Sequence, residues 1–225
     1  YMKQFTAEQL ISIYNNCVKK KDDYFKKHNT LPKCEIKLWN YSWKGKDCPR
    51  CFCILDFMEW VKKHNIDKGH ELAITCAGDP ELEFISYKNT TVLKYPPHDL
   101  HFFDEKFILK FDFFIFNQTI EHLYNPFKAI ENIYKYMKSG GYVFTSVPTI
   151  NIPHMTPIHY NGYNPMGLAL LFMSCGFEVI EIGQWGNYDY IQKLFKHHWW
   201  PDATQVSIVN EEKNVAQCWI LAKKN

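Results

Sequence analysis

The chain has 225 residues, 46% hydrophobic and 22% charged, with a formal net charge of +2 at pH 7, the make-up of one sizeable globular core and not of a disordered or fibrous chain. Of its 26 basic residues only Arg50 is arginine, so the guanidinium forks that read guanine and phosphate are nearly absent and no nucleic-acid partner is expected. No run approaches the roughly 18–20 apolar residues of a membrane span, and no basic-then-apolar leader is present; the expectation is a cytoplasmic protein with no membrane span.

The chain begins at Tyr1 instead of methionine, as a processed protein or a domain cut from a longer chain would. Thr6-Ala-Glu-Gln9 reads as a capping box, and Leu10, Ile13, Tyr14, Cys17 and Val18 follow at helical spacing. Lys19–Lys27 reads as a charged, solvated continuation of that helix, ended by Asn29–Pro32. Residues 34–50, with Trp39, Tyr41 and Trp43, read as an irregular cover. This sets a boundary: residues 1–50 as an N-terminal helix and cover, residues 51–225 as the main domain.

Eight cysteines are spread along the chain, three of them inside predicted strands or helices, which is no disulfide framework. Cys34, Cys48, Cys51 and Cys53 supply four thiols, enough for a tetrahedral zinc site, against the plainer reading of buried or free thiols. The second reading is kept and no metal is assigned.

Cys53–His64 repeats the helical pattern through Ile54, Phe57, Met58 and Val61, and Gly69 ends it. Leu72–Cys76 reads as a buried strand and residues 77–80 as a tight turn before Glu81–Ile85. A second strand is expected at Thr91–Lys94, followed by Tyr95-Pro96-Pro97, whose prolines leave no room for a full crossover helix. Phe113–Phe116 is a continuous apolar block, as in a strand buried on both faces of a parallel sheet, and polar residues begin where it stops. Asn117, Gln118, Glu121 and His122 therefore fall at the carboxyl end of a central strand, where open α/β sheets place their ligands. Pro126 opens a helix with Ala129, Ile130, Ile133, Tyr134 and Met137 on one stripe, closed by Ser139-Gly140-Gly141. Tyr142–Val147 is the next strand. The loop 148–165 is too long for a plain connector and is a candidate functional loop. Met166–Cys175 reads as a helix and Phe177–Ile182 as a strand, while Gln205–Val209 and Val215–Ala222 are expected to pair as an antiparallel hairpin. Alternating helices and strands give a doubly wound, mostly parallel α/β sheet with an antiparallel C-terminal hairpin and an N-terminal helical extension.

The stretches FDFFIFNQTIEHLYNPFKAIENIYKYMKSGGYVFTSVP and HYNGYNPMGLALLFMSCGFEVIEIGQWGN, in that order, resemble the class I S-adenosylmethionine-dependent methyltransferases of the small type-11 branch, over roughly residues 53–222. The first looks like that family's fourth strand, following helix and fifth strand. The resemblance implies a Rossmann-like methyltransferase fold for residues 51–225 and S-adenosylmethionine as cofactor. It places the cofactor along Thr75, Cys76, Ala77 and Gly78, with Tyr95, Asp99 and Leu100 toward the adenosine and Asn117 and Gln118 toward the methionine half. The family's first turn carries an acidic residue and alternating glycines; here Ile74, Cys76, Gly78 and Pro80 stand at those positions, and Lys94 or Tyr95 stands where a ribose-binding acid is expected.

A hydroxyl acceptor benefits from a base as the methyl arrives, and histidine is the natural one at neutral pH. His122 and His159 are the catalytic candidates, with His154, Tyr160, Tyr163 and Trp199 as acceptor contacts; His197, His198 and Trp200 are further members of a roof or of the core. No serine elbow, nucleophilic triad or phosphate loop is visible. The implied activity is O-methylation of a sugar hydroxyl in a glycan or nucleotide sugar, and a methyltransferase domain of a larger glycan-building protein also suits the resemblance. The alternative, motivated by the eroded first turn, is an inactive pseudo-methyltransferase serving as a binding or scaffold module.

Overall fold

In the computed structural model, which describes residues 5–18, 21–30, 48–155, 158–201 and 203–225, the apolar block becomes strand β3 (Phe111–Ile115). Its successive side chains enter different cores: Phe114 lies among one buried cluster, Phe113 and Ile115 among another, all fully buried. At about 1.5–3 kcal/mol for each fully buried large apolar side chain, these residues anchor the centre of the sheet. A register irregularity between Phe111 and Phe113 sends Phe111 to the same core as Phe114.

Around β3 lie β1 (Lys68–Ile74), β2 (Ser86–Val92), β4 (Met137–Pro148), β5 (Glu178–Trp185) and β6 (Gln217–Lys223), in the order β2-β1-β3-β4-β6-β5. The pairs β1·β2, β1·β3 and β3·β4 are parallel, and β6 is antiparallel to both β4 and β5. Helices α4 (Pro126–Tyr136) and α5 (Pro165–Ser174) cover one face through Ala129, Ile130, Ile133, Leu168 and Phe172. Helices α3 (Cys48–Lys63) and α6 (Tyr188–His197) cover the other through Phe52, Phe57, Trp60, Val61, Tyr190 and Leu194. This is a Rossmann-like sheet with helices on both sides and an antiparallel C-terminal edge.

Several local expectations are corrected. The antiparallel edge is present, but β6 pairs with β5 and not with residues 205–209, which form no strand. The second strand runs over Ser86–Val92 and not over Thr91–Lys94. No strand forms between residues 93 and 110, where the chain makes only turns and a short 3-10 segment, so FDFFI is the third strand of the described sheet. The crossover from β1 to β2 shrinks to the 3-10 segment Pro80–Phe84. Helix α6 carries a signal that the pattern reading passed over: Asn187 caps it by accepting from Tyr190 N, and Tyr190 and Leu194 recur four apart.

The N-terminal segment is docked. Helices α1 (Ala7–Val18) and α2 (Lys21–Thr30) precede the main domain, and α2 is more than a solvated charge run. Asp56 of α3 accepts hydrogen bonds from Tyr24 Oη (2.7 Å), His28 Nε2 (2.9 Å) and Trp219 Nε1 (2.9 Å), tying α2 to the sheet. Cys51 and Cys53 lie buried in α3, where burial pushes the Cys53 thiol well up and disfavours the thiolate a metal needs. Cys34 and the side chain of Cys48, the other members of the suspected thiol cluster, lie outside the described residues. No described helix is long and apolar enough to cross a membrane.

Candidate active site

Because β1, β2, β3 and β4 run parallel, the segments leaving their carboxyl ends share one edge of the sheet. From β1 the chain turns outward to β2, and from β2 it returns across β1 to β3, so the direction of winding reverses between β1 and β3. A crevice at such a switch point is where open α/β sheets bind ligands. Two hydroxyls mark it here: Thr75 Oγ1, after β1, lies 3.2 Å from Thr119 Oγ1, after β3.

On the β1 side the polar groups answer one another. Arg50 of α3, itself buried, donates to Glu81 Oε2 at 2.6 Å and to Ser146 Oγ at 3.1 Å, and lies 3.6 Å from Asp79 Oδ1. Asn117 donates to Asp79 Oδ2 at 3.4 Å and accepts from Ser146 N and Oγ, while Gln118 Nε2 donates to Ser146 Oγ at 3.1 Å. Asn117 and Gln118 thus face Ser146 within this network, and Gln118 takes a left-handed backbone, φ 48°. Burial pushes the Glu81 carboxyl up to about 7, with Arg50 opposing and Asp79 adding to the rise. Asp79 is raised by burial as well, against the pull of Arg50. Arg50 is the residue that pattern reading missed here. Its partners lie 31 and 96 positions away, and the only signal was that it is the sole arginine.

Above this network the turn is open. Ala77 and Gly78 are exposed, Thr75 and Cys76 half-buried, and a Cβ built on Gly78 meets no atom within 4 Å. Past β2 a groove of about 590 Å³ is lined by Tyr95, Pro96, Pro97, Asp99, Phe102 and Phe103, among others. Tyr95 is exposed there, whereas the Leu100 side chain is buried in the core. Asp99 Oδ1 accepts from His101 N (3.0 Å) and His101 Nδ1 (2.6 Å), and His101 Nε2 in turn accepts from Asn125 N.

On the β3–β4 side the structure brings together all three histidines singled out by sequence. Glu121 and His122 end a 3-10 segment (Ile120–His122), and His154 and His159 come from the long loop after β4. The ring centroid of His122 lies 5.0 Å from that of His154 and 5.7 Å from that of His159; the His154 and His159 rings are 4.5 Å apart, with 3.0 Å between their Nδ1 atoms. The loop is held to the segment by Tyr160 N and Asn161 N donating to Glu121 O, and by the His122 Nδ1 to Ile158 O hydrogen bond at 2.9 Å. That bond fixes the proton on Nδ1 and leaves the Nε2 lone pair free. Burial, aided by His154, holds His122 below the usual histidine range against the effect of the Ile158 carbonyl. His159 is lowered by burial and then by His154 and His122.

Glu121 is fully buried, and neither of its carboxylate oxygens has a hydrogen-bond partner. Burial pushes it up to about 8. Tyr160 is exposed near the cluster in sequence, and Tyr163 packs beside the core with its carbonyl accepting from Thr149 Oγ1. Trp200, not Trp199, faces the histidines: its ring is 5.7 Å from His154, while Trp199 is exposed and stacks edge-on against Trp200. His197 and His198 are exposed at the end of α6.

Residues 44–212 match the model of a family described as a methyltransferase domain. No curated protein matches the sequence. Among solved structures, the chain is similar to the Burkholderia thailandensis 1,6-didemethyltoxoflavin-N1-methyltransferase with bound 1,6-didemethyltoxoflavin and S-adenosylhomocysteine (10% identity, 100% of this chain and 93% of that chain covered, TM-score 0.52). It is similar also to an S-adenosylmethionine-dependent methyltransferase from Clostridium acetobutylicum (10% identity, 92% and 99% covered, TM-score 0.51). A third is the Haemonchus contortus phosphoethanolamine N-methyltransferase 2 in complex with S-adenosyl-L-methionine (15% identity, TM-score 0.47), where 76% of this chain spans 52% of that one.

Proposed function

The chain belongs to this family of methyltransferase domains, and from that premise we propose that it is an S-adenosylmethionine-dependent O-methyltransferase acting on a sugar hydroxyl in a glycan or nucleotide sugar. S-adenosylmethionine supplies an electrophilic methyl on a sulfonium, so the protein's work is to hold the acceptor in line and exclude water. The residues present fit that cofactor at two places. The turn Thr75–Gly78 offers open ground over the end of β1, where even a Cβ at Gly78 meets nothing. The groove beside Tyr95 and Asp99 offers flat apolar walls and a carboxylate to the adenosine end. Asn117 and Gln118 support the crevice from below by fixing Ser146 and Asp79.

The observation that carries the acceptor reading is the convergence of His122, His154 and His159 from separate loops beside the switch point. This cluster, in which burial holds His122 and His159 below the usual histidine range, positions the hydroxyl and takes up its proton. Trp200 and the exposed Tyr160 supply flat faces that suit a sugar ring. The setting is the cytoplasm, where cysteines stay reduced. The test is calorimetry with S-adenosylhomocysteine, followed by release of that product from S-adenosylmethionine with a panel of nucleotide sugars. No binding at millimolar S-adenosylhomocysteine would sink the enzyme reading in favour of a scaffold module.

A further inference from the structure

Glu121 and His122 present a problem that hydrogen bonding within the chain does not solve. His122 Nδ1 carries the proton given to Ile158 O, so its Nε2 is a bare lone pair. Facing it at 3.9 Å is Glu121 Oε1, an acceptor without a donor on a carboxylate that is fully buried. At 3.9 Å the two atoms are too far apart to share a proton, and once the carboxyl is ionised two acceptors face each other and repel unless something positive lies between them. His154 completes the arrangement. Its Nδ1 is engaged by Ile152 O at 3.2 Å and His159 Nδ1 at 3.0 Å, contacts that orient the ring as a second shell orients a ligating histidine. One ligand atom from each of Glu121, His122 and His154 lies within 4.8 Å of the other two, the sole such group of three among the described residues.

We propose that Glu121, His122 and His154 hold a divalent transition-metal ion that binds the acceptor's hydroxyl. The proposal rests on the reading of this cluster as the acceptor site and specifies how the cluster works. Two imidazoles and one carboxylate suit zinc, manganese or iron(II) and disfavour magnesium and calcium, which prefer all-oxygen shells. Metal–nitrogen and metal–oxygen bonds of about 2.0–2.2 Å put neighbouring ligand atoms about 3.4 Å apart, so Glu121 and His122 close by roughly half an ångström, and His154, which lies within 4.8 Å of both, by at most about 1.4 Å. Three protein ligands leave a position open, as catalytic metal sites do and structural ones do not. A hydroxyl bound there becomes more acidic, and its proton passes to water. The buried carboxylate gains the cation it lacks.

The experiment is a titration of the full chain, first stripped with chelator, with Co2+ as an optical probe, and competition by Zn2+. About one ion per chain is expected, with the visible spectrum of a nitrogen- and oxygen-ligated, low-coordinate cobalt and none of the intense thiolate-to-metal bands. Glu121→Gln and His154→Ala are each expected to weaken binding by more than about a hundredfold, beyond the usual loss of an outer-shell partner. His154→Ala removes a half-buried side chain, so it keeps the test open where Glu121→Gln fails to fold. Absent binding at millimolar Co2+, a thiolate spectrum, or unchanged affinity in His154→Ala would each overturn the proposal. Binding of S-adenosylhomocysteine is measured on the same samples. Its retention without a cobalt site breaks the metal inference alone, and its loss beside an intact cobalt site breaks the methyl-donor reading alone.

Discussion

The two banks of the crevice are both rich in buried polar groups, yet they are built on opposite terms. On the β1 bank, Arg50, Asp79, Asn117, Ser146 and Gln118 bond to one another, and only Glu81 Oε1 is left over. On the β3–β4 bank, Glu121 has both oxygens unpaired and His122 offers a bare lone pair to it. A network that closes on itself sets geometry, whereas one that leaves buried polar atoms unpaired is a site in want of a ligand. The β1 bank has lost the crossover helix that would brace its turn, and an arginine from α3 braces it instead.

The largest expected effect tests that bracing. Arg50→Met removes the cation that pairs with two buried carboxylates, and breaking a buried pair from one side costs about 3–5 kcal/mol. Urea unfolding of the variant is expected to show that loss; less than about 1 kcal/mol would mean that the first turn is held by packing alone. Next comes the other bank. His122→Ala is expected to lower turnover about a hundredfold or more, while affinity for S-adenosylhomocysteine stays within a few-fold. Lost cofactor affinity with intact chemistry would reverse the assignment of the two banks.

A smaller effect lies in pH. Glu81 titrates near 7 in the folded chain against 4.5 as an ordinary glutamate, so folding favours its protonated form. Its contribution to stability is complete below about 4.5 and lost as pH rises through about 7. Unfolding free energy of the parent chain is therefore expected to fall over that window by on the order of 3 kcal/mol, and Glu81→Gln to remove that component. Identical pH profiles for the two chains would show that Arg50 holds Glu81 ionised throughout.

Much of this was readable in the sequence because it depends on neighbours along the chain. The apolar run ending at Asn117, the Asn125 cap accepting from Lys128 N, and Pro126 at the start of α4 define β3, α4 and β4 by local chemistry. The histidines were legible for a topological reason: parallel strands end on one edge, so loops after β3 and β4 must meet. What escaped depends on distant partners. Nothing near Arg50 in sequence announces Glu81 or Ser146, and nothing near Lys21–Thr30 announces that Tyr24 and His28 meet Asp56. The misassigned partner of the antiparallel C-terminal pair has a similar origin, since residues 205–209 alternate like a strand but β6 already has β4 and β5 on its two sides.

Asp99 belongs to neither extreme, and the smallest predicted effect concerns it. One oxygen, Oδ1, ties the loop after β2 to His101, whose Nε2 accepts from the backbone of Asn125, the cap of α4. His101 carries its proton on Nδ1 for that reason, and it stacks on Tyr124 with ring centroids 4.0 Å apart. The Asp99 side chain is nevertheless 27% exposed along the groove, while His101 is buried at 7%. One carboxylate thus serves a turn and still faces a ligand, and Asp99→Asn separates the two roles. The amide oxygen can go on accepting from His101, so thermal stability is expected to hold within about 1 kcal/mol. A charge-assisted hydrogen bond from an adenosine amino group would be weakened, and S-adenosylhomocysteine affinity is expected to fall about tenfold. Unchanged affinity would make Asp99 a turn residue only, and would leave the walls formed by Tyr95 and its neighbouring prolines to hold the adenosine by themselves.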